Sequence, residues 1–428
     1  MKLWDKGLKI DRIIENFTVG NDREIDTYIA KYDVQASLAH AEMLCSCGYL
    51  TKPEFEQLKK GLQTLQTQIE NDTFQIEKSF EDVHSKIEFE LTKVYGEVGK
   101  KIHTARSRND QVLVALHLYY KDSILEIKRL LKQLFDSLIK LADNHQGKLL
   151  PGYTHLQVAM PSSFGMWFSS YAELLIDDMV VLNSALKVVD QNPLGSAAGY
   201  GSSFKIDREE TTKLLNFNTL KYNSVAAQLS RGKSARTIAN ALGSVGFTLS
   251  KFAMDVCLYI SQNFGFITFP NELTTGSSIM PHKKNPDVFE LLRASSNKVQ
   301  ALSSEIQMIT NNLPSGYHRD FQLLKEPMIN GIEKTKEILS IFDYAIQQII
   351  IQPIDFKDDK YKYLSSVDSV NALVQEGKSF REAYQIVGKE IEEGTYAFSD
   401  SATHTHEGSI HNLSLDKIIA KMEDLGSL

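Results

Sequence analysis

Long stretches without proline, in which apolar residues recur at helical spacing, constrain the fold of this chain most strongly. The 428 residues include ten prolines, and none of them lies within residues 54–150 or 194–269. Apolar residues in these stretches return every three or four positions, which places them on one face of an α-helix. Strand signals are weak, because the β-branched run at residues 349–351 is short and no strand–helix–strand alternation appears. The sequence therefore predicts an all-α fold, a long central helical bundle with smaller helical N- and C-terminal domains.

Local signals predict where individual helices begin and end. Two capping-box patterns, each a hydroxyl residue followed three positions later by glutamate, predict helix starts at Thr51 and Ser379. The first helix should run toward Asn71, and the second should end near Gly394. Asn285-Pro286 places a capping side chain before a proline suited to the first helical position, so we expect a long helix to start there.

Residues 224–262 combine apolar positions at helical spacing with many small residues. A helix with so little polar surface is usually buried, and small residues let neighbouring helices approach closely. This pattern predicts a core helix in a bundle that is shared between subunits. We predict an N-terminal helical domain at 1–105, a central long-helix domain at 106–354 that forms the core of a tetramer, and a C-terminal helical domain at 355–428.

Composition and charge exclude several classes of protein. The net charge of -7 argues against a nucleic-acid-binding surface, which is normally basic. The N-terminal residues alternate charged and apolar side chains and show no secretory signal. The longest charge-free run, at residues 149–172, is interrupted by two prolines and several polar residues and should not span a membrane. The odd and small number of cysteines, three, builds no disulfide framework and fits a reducing compartment, so we expect a cytoplasmic protein.

Five segments are more polar, glycine-rich or cationic than a helical bundle requires: TTGSSIMPHKKN (274–285), HTARSRNDQ (103–111), GYTHLQ (152–157), PLGSAAGYG (193–201) and YHRDFQLLK (317–325). Lysines next to a helix start favour anion binding, paired arginines suit carboxylates, and histidine can titrate near neutral pH. Taken singly, each segment is explained as well or better by a solvated loop, a helix cap or a tight turn. Taken together, they predict a site for a small anionic molecule.

Three histidines near the C-terminus raise the question of a metal site. His404, His406 and His411 lie close together in the sequence. No neighbouring residues complete a closed set of ligands of the kind that zinc requires. We therefore expect a polar loop and no metal.

The segment GSSIMPHKKNP, residues 276–286, resembles the signature loop of the fumarase/aspartase superfamily, whose members eliminate fumarate from succinyl-bearing substrates. HTARSRNDQV, PGYTHLQ and the order of the segments narrow the resemblance to the argininosuccinate lyases, over residues 17 to at least 327. The resemblance implies cleavage of argininosuccinate into arginine and fumarate without any cofactor. It also implies a homotetramer in which three subunits contribute to each site.

The resemblance assigns roles to individual residues. Ser277 would be the catalytic base, Lys283 would stabilise the aci-carboxylate, and Asn285 would hold the same carboxylate by hydrogen bonds. His155 would handle the second proton, and Glu290 would pair with it and keep it charged. The assignment of the two proton transfers to serine and histidine stays open in both directions. The remaining residues that match substrate contacts or supply charge are Thr154, Ser107, Arg108, Asn109, Tyr317, Gln322, Lys325, His84, Asp82 and Arg231.

The chain departs from the family pattern mainly where substrates are distinguished. His282 replaces a frequent glutamine, and the resulting Pro-His-Lys is a feature of adenylosuccinate lyases. Asp22 aligns with a substrate-touching serine, although Asp26 matches a typical aspartate. Arg231 lacks its usual acidic neighbours, and the usual Gln-Glu-Asp-Lys has leucines at 323–324.

Two alternative functions follow from these departures. The first is another lyase of the superfamily, chiefly adenylosuccinate lyase, against which the RSRNDQ segment argues. The second is a structural, non-catalytic relative of the crystallin type. The presence of Ser277, Lys283, His155 and Glu290 argues against that reading.

Overall fold

A computed structural model of the chain describes residues 12–276, 278–397 and 404–426. Helix accounts for 66% of the residues and strand for 7%, so the mostly helical fold expected from the sequence is confirmed. The α-helices of the described part are α1 (Arg12–Val19), α2 (Asp22–Ile25), α3 (Ala30–Ser46), α4 (Lys52–Glu70), α5 (Val83–Tyr95), α6 (Glu97–Lys100), α7 (Arg108–Asn144), α8 (Phe164–Val189), α9 (Arg208–Leu214), α10 (Ser224–Tyr259), α11 (Asp287–Thr310), α12 (Lys325–Ile346), α13 (Ser366–Gln375), α14 (Phe380–Glu392) and α15 (Leu415–Gly426).

The strands are short and form two-stranded pairs. Three pairs are antiparallel, β1 with β2, β5 with β8 and β6 with β7, and the pair of β3 with β4 is parallel. The strands are β1 (Leu149–Thr154), β2 (Gln157–Ser163), β3 (Gln191–Asn192), β4 (Thr219–Leu220), β5 (Ile267–Thr268), β6 (Thr275–Gly276), β7 (Lys284–Asn285) and β8 (Ile350–Ile351).

The helix starts predicted from capping boxes are confirmed. At the start of α4, the hydroxyl oxygen of Thr51 accepts a hydrogen bond from the backbone N–H of Glu54 at 3.4 Å, and the Glu54 carboxylate accepts one from the Thr51 N–H at 2.9 Å. Ser379 and Glu382 form the same reciprocal pair at the start of α14. These signals are local, since all partners lie within one turn, and the sequence therefore suffices to predict them.

The start of α11 differs from the prediction by about one residue. Asn285 lies in β7 and does not cap the helix. The backbone carbonyl of Pro286 accepts the first helical hydrogen bond, from the N–H of Glu290 at 3.0 Å. Strand pairing of Asn285 with Thr275 holds it in extended conformation, and this moves the cap to the proline.

A β-hairpin, β1–β2, occupies a segment for which the sequence predicted no strand. Its two-residue turn is His155-Leu156, with φ of +53° and +58°. Such turns usually contain glycine or asparagine, and the flanking strands lack the apolar–polar alternation that marks a half-buried strand. Gly152 lies at a shift in the strand register. If residue 152 had a side chain, its Cβ would lie only 2.8 Å from the carbonyl oxygen of Met160. Neither the turn nor the strands therefore carried a recognisable signal.

The long apolar helix predicted at residues 224–262 is α10, Ser224–Tyr259. By length and composition it is the one helix of the described part that could cross a membrane. Half of its most apolar window is buried within the protein, as expected for a core helix of a soluble protein.

Contacts between residues divide the chain into two compact units. Unit 1 comprises residues 1–128, 181–246 and 298–336, and unit 2 comprises residues 129–180, 247–297 and 337–428. The three-domain organisation expected from the sequence stays a prediction.

Each unit has its own core. In unit 2, Phe252 stacks on Tyr171 at 4.1 Å and on Phe342 at 4.9 Å between ring centres. The Asp255 carboxylate accepts hydrogen bonds from the Tyr171 hydroxyl at 2.6 Å and from Trp167 Nε1 at 3.2 Å. Unit 1 buries apolar residues of α3, α4 and α7 and, in addition, several charged side chains. Buried charges require partners, so these side chains locate the polar region of unit 1.

Candidate active site

A cavity in unit 1 brings together most of the residues that the sequence marked as substrate-binding. It encloses about 210 Å³. Eight of the predicted residues line it: Asp82, His84, Arg108, Asn109, Arg231, Tyr317, Gln322 and Lys325. Its other lining residues are Asp22, Glu81, Val112 and Arg319. We call it the unit 1 cavity. Because carboxylates and cations both face it, it suits a polar ligand with charges of both signs.

Lys325, which lines this cavity, is buried between the carboxylates of Asp22 and Asp26. Its Nζ donates a hydrogen bond to Asp26 Oδ1 at 2.6 Å and lies 3.0 Å from Asp22 Oδ1. Burial lowers the pKa of Lys325, but the two carboxylates outweigh burial and raise the pKa above its ordinary value. Asp26 is fully buried, and its Oδ2 accepts a hydrogen bond from the backbone N–H of Val83 at 3.2 Å. The lysine is held charged and offsets one of two negative charges.

Asp22 is the less stabilised of the two carboxylates. Burial raises its pKa, Lys325 opposes the rise, and Asp26 adds to it, so that the pKa reaches about 6. Asp22 was noted in the sequence as a departure but not as a substrate contact. In the structure it lines the unit 1 cavity together with the predicted residues.

His84 is held by a buried carboxylate that sequence reasoning missed. Its Nδ1 donates to Asp33 Oδ2 at 2.7 Å, and Gln111 Nε2 donates to the two Asp33 oxygens at 2.9 and 3.1 Å. Burial lowers the pKa of His84, but Asp33 and then Asp82 outweigh burial and raise it. Nε2 of His84 has no hydrogen-bond partner within the described ranges. Asp33 thus fixes one ring nitrogen of a cavity-lining histidine.

Arg108 is tied to the start of α5. Asp82 caps this helix, because its Oδ1 accepts the backbone N–H of Ser85 at 2.8 Å. Arg108 Nη1 lies 3.2 Å from Asp82 Oδ2 and 3.5 Å from Glu81 Oε2, and its Nη2 donates to Ser85 Oγ at 2.8 Å. Burial raises the pKa of Asp82, but His84 and Arg108 outweigh burial and lower it. The arginine and the carboxylates therefore fix one another in the cavity wall.

Asp110 joins two of the segments that the sequence singled out. It is fully buried, its Oδ1 accepts the backbone N–H of Ser107 at 2.8 Å, and its Oδ2 accepts those of Gly195 and Ala197 at 2.9 Å each. Burial raises the pKa of Asp110 to about 6 despite these donors. Ser107 does not line the cavity. The backbone of Ser107 is nevertheless linked through Asp110 to the segment 193–201. Ser107 is two residues from Asn109, which lines the cavity.

The segment that precedes α12 is a short 3₁₀ turn, Arg319–Leu324. Gln322 Nε2 and Arg319 Nη2 each donate to the backbone carbonyl of Thr18 at 2.8 Å. Arg319 Nη2 also donates to Glu81 Oε1 at 2.8 Å. These contacts hold the cavity wall to the end of α1.

Arg231 differs from the other cations of the cavity. It is 5% exposed, and its Cζ lies 5.6 Å from the ring centre of Tyr317 and 5.9 Å from that of Phe321. Across the described residues no carboxylate forms an ion pair with it, and its Nε has no hydrogen-bond partner. Aromatic faces attract a guanidinium but do not replace an anion.

The signature-like loop belongs to unit 2, and β6 and β7 pair at its base. Ser277 lies outside the described residues. His282 and Lys283 are exposed, and Asn285 is half-buried. Lys283 has no ion-pair partner in the part of the chain that the structure describes.

The hairpin turn of unit 2 carries Thr154 and His155, both exposed. The ring centre of Tyr153 lies 5.2 Å from that of Phe264, and this contact anchors β1 to the rest of unit 2. Glu290 is exposed in the first turn of α11. Within the described residues of one chain, His155 and Glu290 form no ion pair, and their pairing stays a prediction.

The described ranges contain no group of three or more histidine, cysteine, aspartate or glutamate residues placed to hold a metal ion. His404 Nε2 contacts Asp368 Oδ1 at 2.8 Å, and His406 Nδ1 contacts the backbone carbonyl of Glu407 at 3.1 Å. Local polar contacts therefore account for these two histidines.

Comparisons with known proteins cover the chain almost completely. A family model described as lyase matches residues 6–301. An argininosuccinate lyase of Bacteroides thetaiotaomicron is 52% identical over 99% of this chain and 95% of its own length. An argininosuccinate lyase of Thermotoga neapolitana is 41% identical over 91% of this chain and 98% of its own length.

Solved structures show the same fold at low sequence identity. A variant of EDDS lyase with bound fumarate superimposes with a TM-score of 0.78 at 20% identity, covering 99% of this chain and 91% of that chain. A fumarate lyase from Mesorhizobium gives a TM-score of 0.70 at 17% identity, covering 98% and 92%. At this identity the likeness concerns the fold alone. The identity to the curated relatives, the match to the lyase model and the shared helical fold together show that this chain belongs to the argininosuccinate lyase family.

Proposed function

We propose that this carbon–nitrogen lyase catalyses the reversible elimination of fumarate from argininosuccinate, which yields arginine in arginine biosynthesis. Family membership supports the reaction class and the pathway. The observation that carries the assignment to a site is the unit 1 cavity, where eight residues expected at the site line one space. The chain's own side chains supply the charges that the reaction requires, and no cofactor is invoked.

The chemistry makes three demands on the site. Breaking the C–N bond requires removal of a proton from the carbon next to a carboxylate. That proton is weakly acidic, and its removal pushes negative charge onto the carboxylate. The site therefore needs a base, cations or hydrogen-bond donors around the developing aci-carboxylate, and an acid near the leaving nitrogen.

The loop between β6 and β7 is assigned the base and the cation. Ser277 removes the proton, and it requires nearby positive charge and exclusion of water because a free serine is a poor base. Lys283 supplies positive charge to the aci-carboxylate, and among the described residues no carboxylate forms an ion pair with it, which leaves it available for this role. Asn285, at the base of the loop, donates hydrogen bonds to the same carboxylate.

The hairpin turn is assigned the second proton. His155 protonates the leaving nitrogen or orients a water that does so, and Thr154 beside it contacts the substrate. Glu290 holds His155 in its charged form. The reverse assignment of the two proton transfers predicts the same set of residues.

The unit 1 cavity is assigned the binding of substrate. Asn109, Tyr317, Gln322 and Lys325 line it and supply hydrogen bonds and charge. Arg108, Asp82 and His84 form its charged wall, and Ser107 is anchored nearby.

Several observations support assembly into a homotetramer with sites shared between subunits. His155, which is assigned a proton transfer, is exposed in the single chain, whereas the proposed chemistry requires exclusion of water. Helices α10 and α11 also carry large apolar side chains that are 43–77% exposed: Leu229, Phe247, Met254, Leu291 and Met308. Exposed apolar surface of this kind is typical of an interface between subunits.

The three free cysteines fit the reducing cytoplasm.

A substrate panel tests the proposal. The assembled protein is mixed with argininosuccinate, adenylosuccinate, malate or aspartate, and fumarate release is followed by its ultraviolet absorbance. We expect release from argininosuccinate alone. Release from adenylosuccinate instead would assign the chain another reaction of the superfamily, and no release from any of the four by an intact tetramer would favour a structural role.

A further inference from the structure

The segment PLGSAAGYG, residues 193–201, is polar and glycine-rich, and the proposed function assigns it no role. The backbone N–H groups of Gly195 and Ala197 donate hydrogen bonds to Asp110 Oδ2 at 2.9 Å each. Asp110 Oδ1 accepts the backbone N–H of Ser107 at 2.8 Å. One carboxylate therefore joins this segment to the start of α7, although Asp110 and Gly195 are 85 residues apart.

A helix cap explains only half of this arrangement. In a capping box, a carboxylate in the first turn accepts the backbone N–H of the capping residue, as Asp110 does with Ser107. The capping-box carboxylates Glu54 and Glu382 are half-buried and exposed, whereas Asp110 is 0% exposed and uses its second oxygen on a distant segment. Because burying a carboxylate is costly, this burial indicates a role beyond the start of α7.

Each of the two joined segments contains an alanine in the left-handed conformation. Ala105 has φ of +60° and Ala197 has φ of +52°. This conformation is unfavourable for a residue with a Cβ, and it persists only where the surrounding contacts hold it. Backbone held in this way is concentrated at functional sites. The hydrogen bonds of Asp110 lie at Ala197 itself and two residues from Ala105, so they restrain both.

The segment 193–201 is held from its other side by α10. Gln228 Nε2 donates hydrogen bonds to Ser196 Oγ and to the backbone carbonyl of Ala197, at 3.3 Å each. Gly199 has φ of +104°, and a Cβ at this position would lie only 2.7 Å from Gln228 Cγ. Gln228 is three residues, about one helical turn, before Arg231, which lines the unit 1 cavity. The segment is therefore clamped between two helices that form the cavity wall.

We infer that Asp110 is a positioning residue for the reaction: it locks residues 193–201 against the start of α7 and thereby sets the position at which Asn109 contacts substrate. Asn109 lines the unit 1 cavity, and Asp110 does not. The inference rests on the proposed function and deepens it, since it names a residue that acts through Asn109. The residues assigned to the two proton transfers are on other segments, so loss of Asp110 should weaken substrate binding more than it slows the chemical step.

Asp110→Asn tests the inference in the assembled protein. Asparagine keeps one acceptor oxygen and replaces the other with an NH₂ donor, so it cannot accept hydrogen bonds from both segments. We expect the KM for argininosuccinate to rise about tenfold to a hundredfold, whereas kcat should change less than about threefold. Asp255→Asn is the matched control, because Asp255 accepts hydrogen bonds from Tyr171 and Trp167 in the core of unit 2. It should lower the free energy of unfolding and leave KM unchanged.

A double-mutant cycle with Asn109→Ala separates positioning from a general loss of structure. If Asp110 acts through Asn109, adding Asp110→Asn to Asn109→Ala should raise KM further by less than about twofold. Full multiplication of the two effects would overturn the inference, and so would a fall in kcat as large as the rise in KM.

Hydrogen–deuterium exchange, followed by mass spectrometry, gives a measurement that needs no activity. In Asp110→Asn, exchange should become about tenfold faster in peptides that cover residues 103–109 and 193–201, and it should stay unchanged in α14. With an active wild type, unchanged exchange in both segments would overturn the inference alone. A wild type that releases no fumarate would overturn the proposed function, and with it the inference.

Ala197→Gly is the second variant, should Asp110→Asn fail to assemble. Glycine adopts the left-handed conformation freely but is not confined to it, so this change loosens the segment while every hydrogen bond of Asp110 can still form. KM should rise about threefold in the wild-type background and stay unchanged in the Asn109→Ala background. A KM that is unchanged in both backgrounds would overturn the inference.

Discussion

The two parts of the proposed site differ in how their charges are satisfied. In the unit 1 cavity, Lys325 lies between two carboxylates, and His84 is bound to Asp33 at 2.7 Å. In unit 2, His155 and Lys283 are exposed and have no ion-pair partner within the described ranges. The first region therefore has most of its electrostatic partners within one chain, and the second does not.

This difference follows from what burial costs. A buried ion must be paired within the folded chain, so substitutions in the unit 1 cavity should affect stability as well as binding. An exposed lysine or histidine is stabilised by water and becomes reactive only when the site is covered. Substitutions in unit 2 should consequently change the rate and leave the stability of the chain almost unchanged. Four predictions test this contrast.

The largest expected effect is that of Ser277→Ala. Loss of a general base should lower kcat by roughly a hundredfold to ten-thousandfold, while the free energy of unfolding and the affinity for substrate stay close to those of the wild type. Steady-state kinetics, urea unfolding and calorimetric titration measure the three quantities. The matched control is Ser278→Ala at the next position, which is exposed. Equal losses from both substitutions would mean that the loop matters as a structure and that Ser277 is not the base.

The second prediction compares two lysines. Lys325→Met leaves Asp22 and Asp26 facing each other without a cation, so the free energy of unfolding should fall by about 3–5 kcal/mol. Lys283→Met should change it by less than about 0.5 kcal/mol and should lower kcat roughly a hundredfold, because a cation at the developing charge is lost. Urea unfolding and kinetics of both variants provide the test. A destabilised Lys283→Met would show that this lysine is also held by a carboxylate, and the contrast between the regions would disappear.

The third prediction concerns the pH dependence caused by Asp22. Burial raises the pKa of Asp22 most strongly. Lys325 opposes this rise and Asp26 adds to it, so that the pKa moves from 3.8 to about 6. The folded state therefore holds this proton more tightly than the unfolded state. The resulting stabilisation is complete below about pH 4 and is lost as the pH rises through 6.

Asp22→Asn removes this loss, so its free energy of unfolding should exceed that of the wild type by about 1–2 kcal/mol at pH 8, after allowance for the lost contact with Lys325. The gain should shrink as the pH falls from 6 toward 4. Urea unfolding of both proteins across this range measures it. Destabilisation by Asp22→Asn at pH 8 would show that the ion pair with Lys325 outweighs burial, and the cavity would then have no unbalanced carboxylate.

The sequence revealed those parts of the molecule whose causes are local. The capping boxes at Thr51 and Ser379 and the apolar α10 needed no knowledge of tertiary contacts. Asp33 and Asp110 were missed because their partners are distant in the chain, 51 residues away for His84 and 85 for Gly195. Asp33 lies in no pattern that distinguishes it from a surface aspartate, and Asp110 lies in the segment 103–111, which does not show that its carboxylate binds distant backbone N–H groups.

The cavity itself is a tertiary feature. The cavity residue Lys325 and its ion-pair partner Asp26 are 299 residues apart. Family resemblance placed both sequence segments at the site, but it could not show that Asp22 shares the lysine or that Arg231 forms no ion pair with a described carboxylate. Those two facts depend on side-chain positions.

The smallest expected effect is that of Leu156→Gly in the hairpin turn. Leu156 has φ of +58° and is 71% exposed, so its side chain makes few contacts while its backbone adopts a conformation that costs non-glycine residues roughly 1–2 kcal/mol. Glycine should relieve this cost, but it loses more conformational entropy on folding than leucine does. The net result should be a rise in the free energy of unfolding by up to about 1 kcal/mol.

Leu125→Gly is the matched control, because Leu125 is 43% exposed but lies in α7, where glycine should lower the free energy of unfolding by about 1 kcal/mol. Urea unfolding of the assembled variants measures both changes. If Leu156→Gly is instead destabilising, the leucine must be buried against another subunit in the assembly. The turn that carries His155 would then be covered by protein before substrate binds, and it would belong with the unit 1 cavity among the regions formed in advance of catalysis.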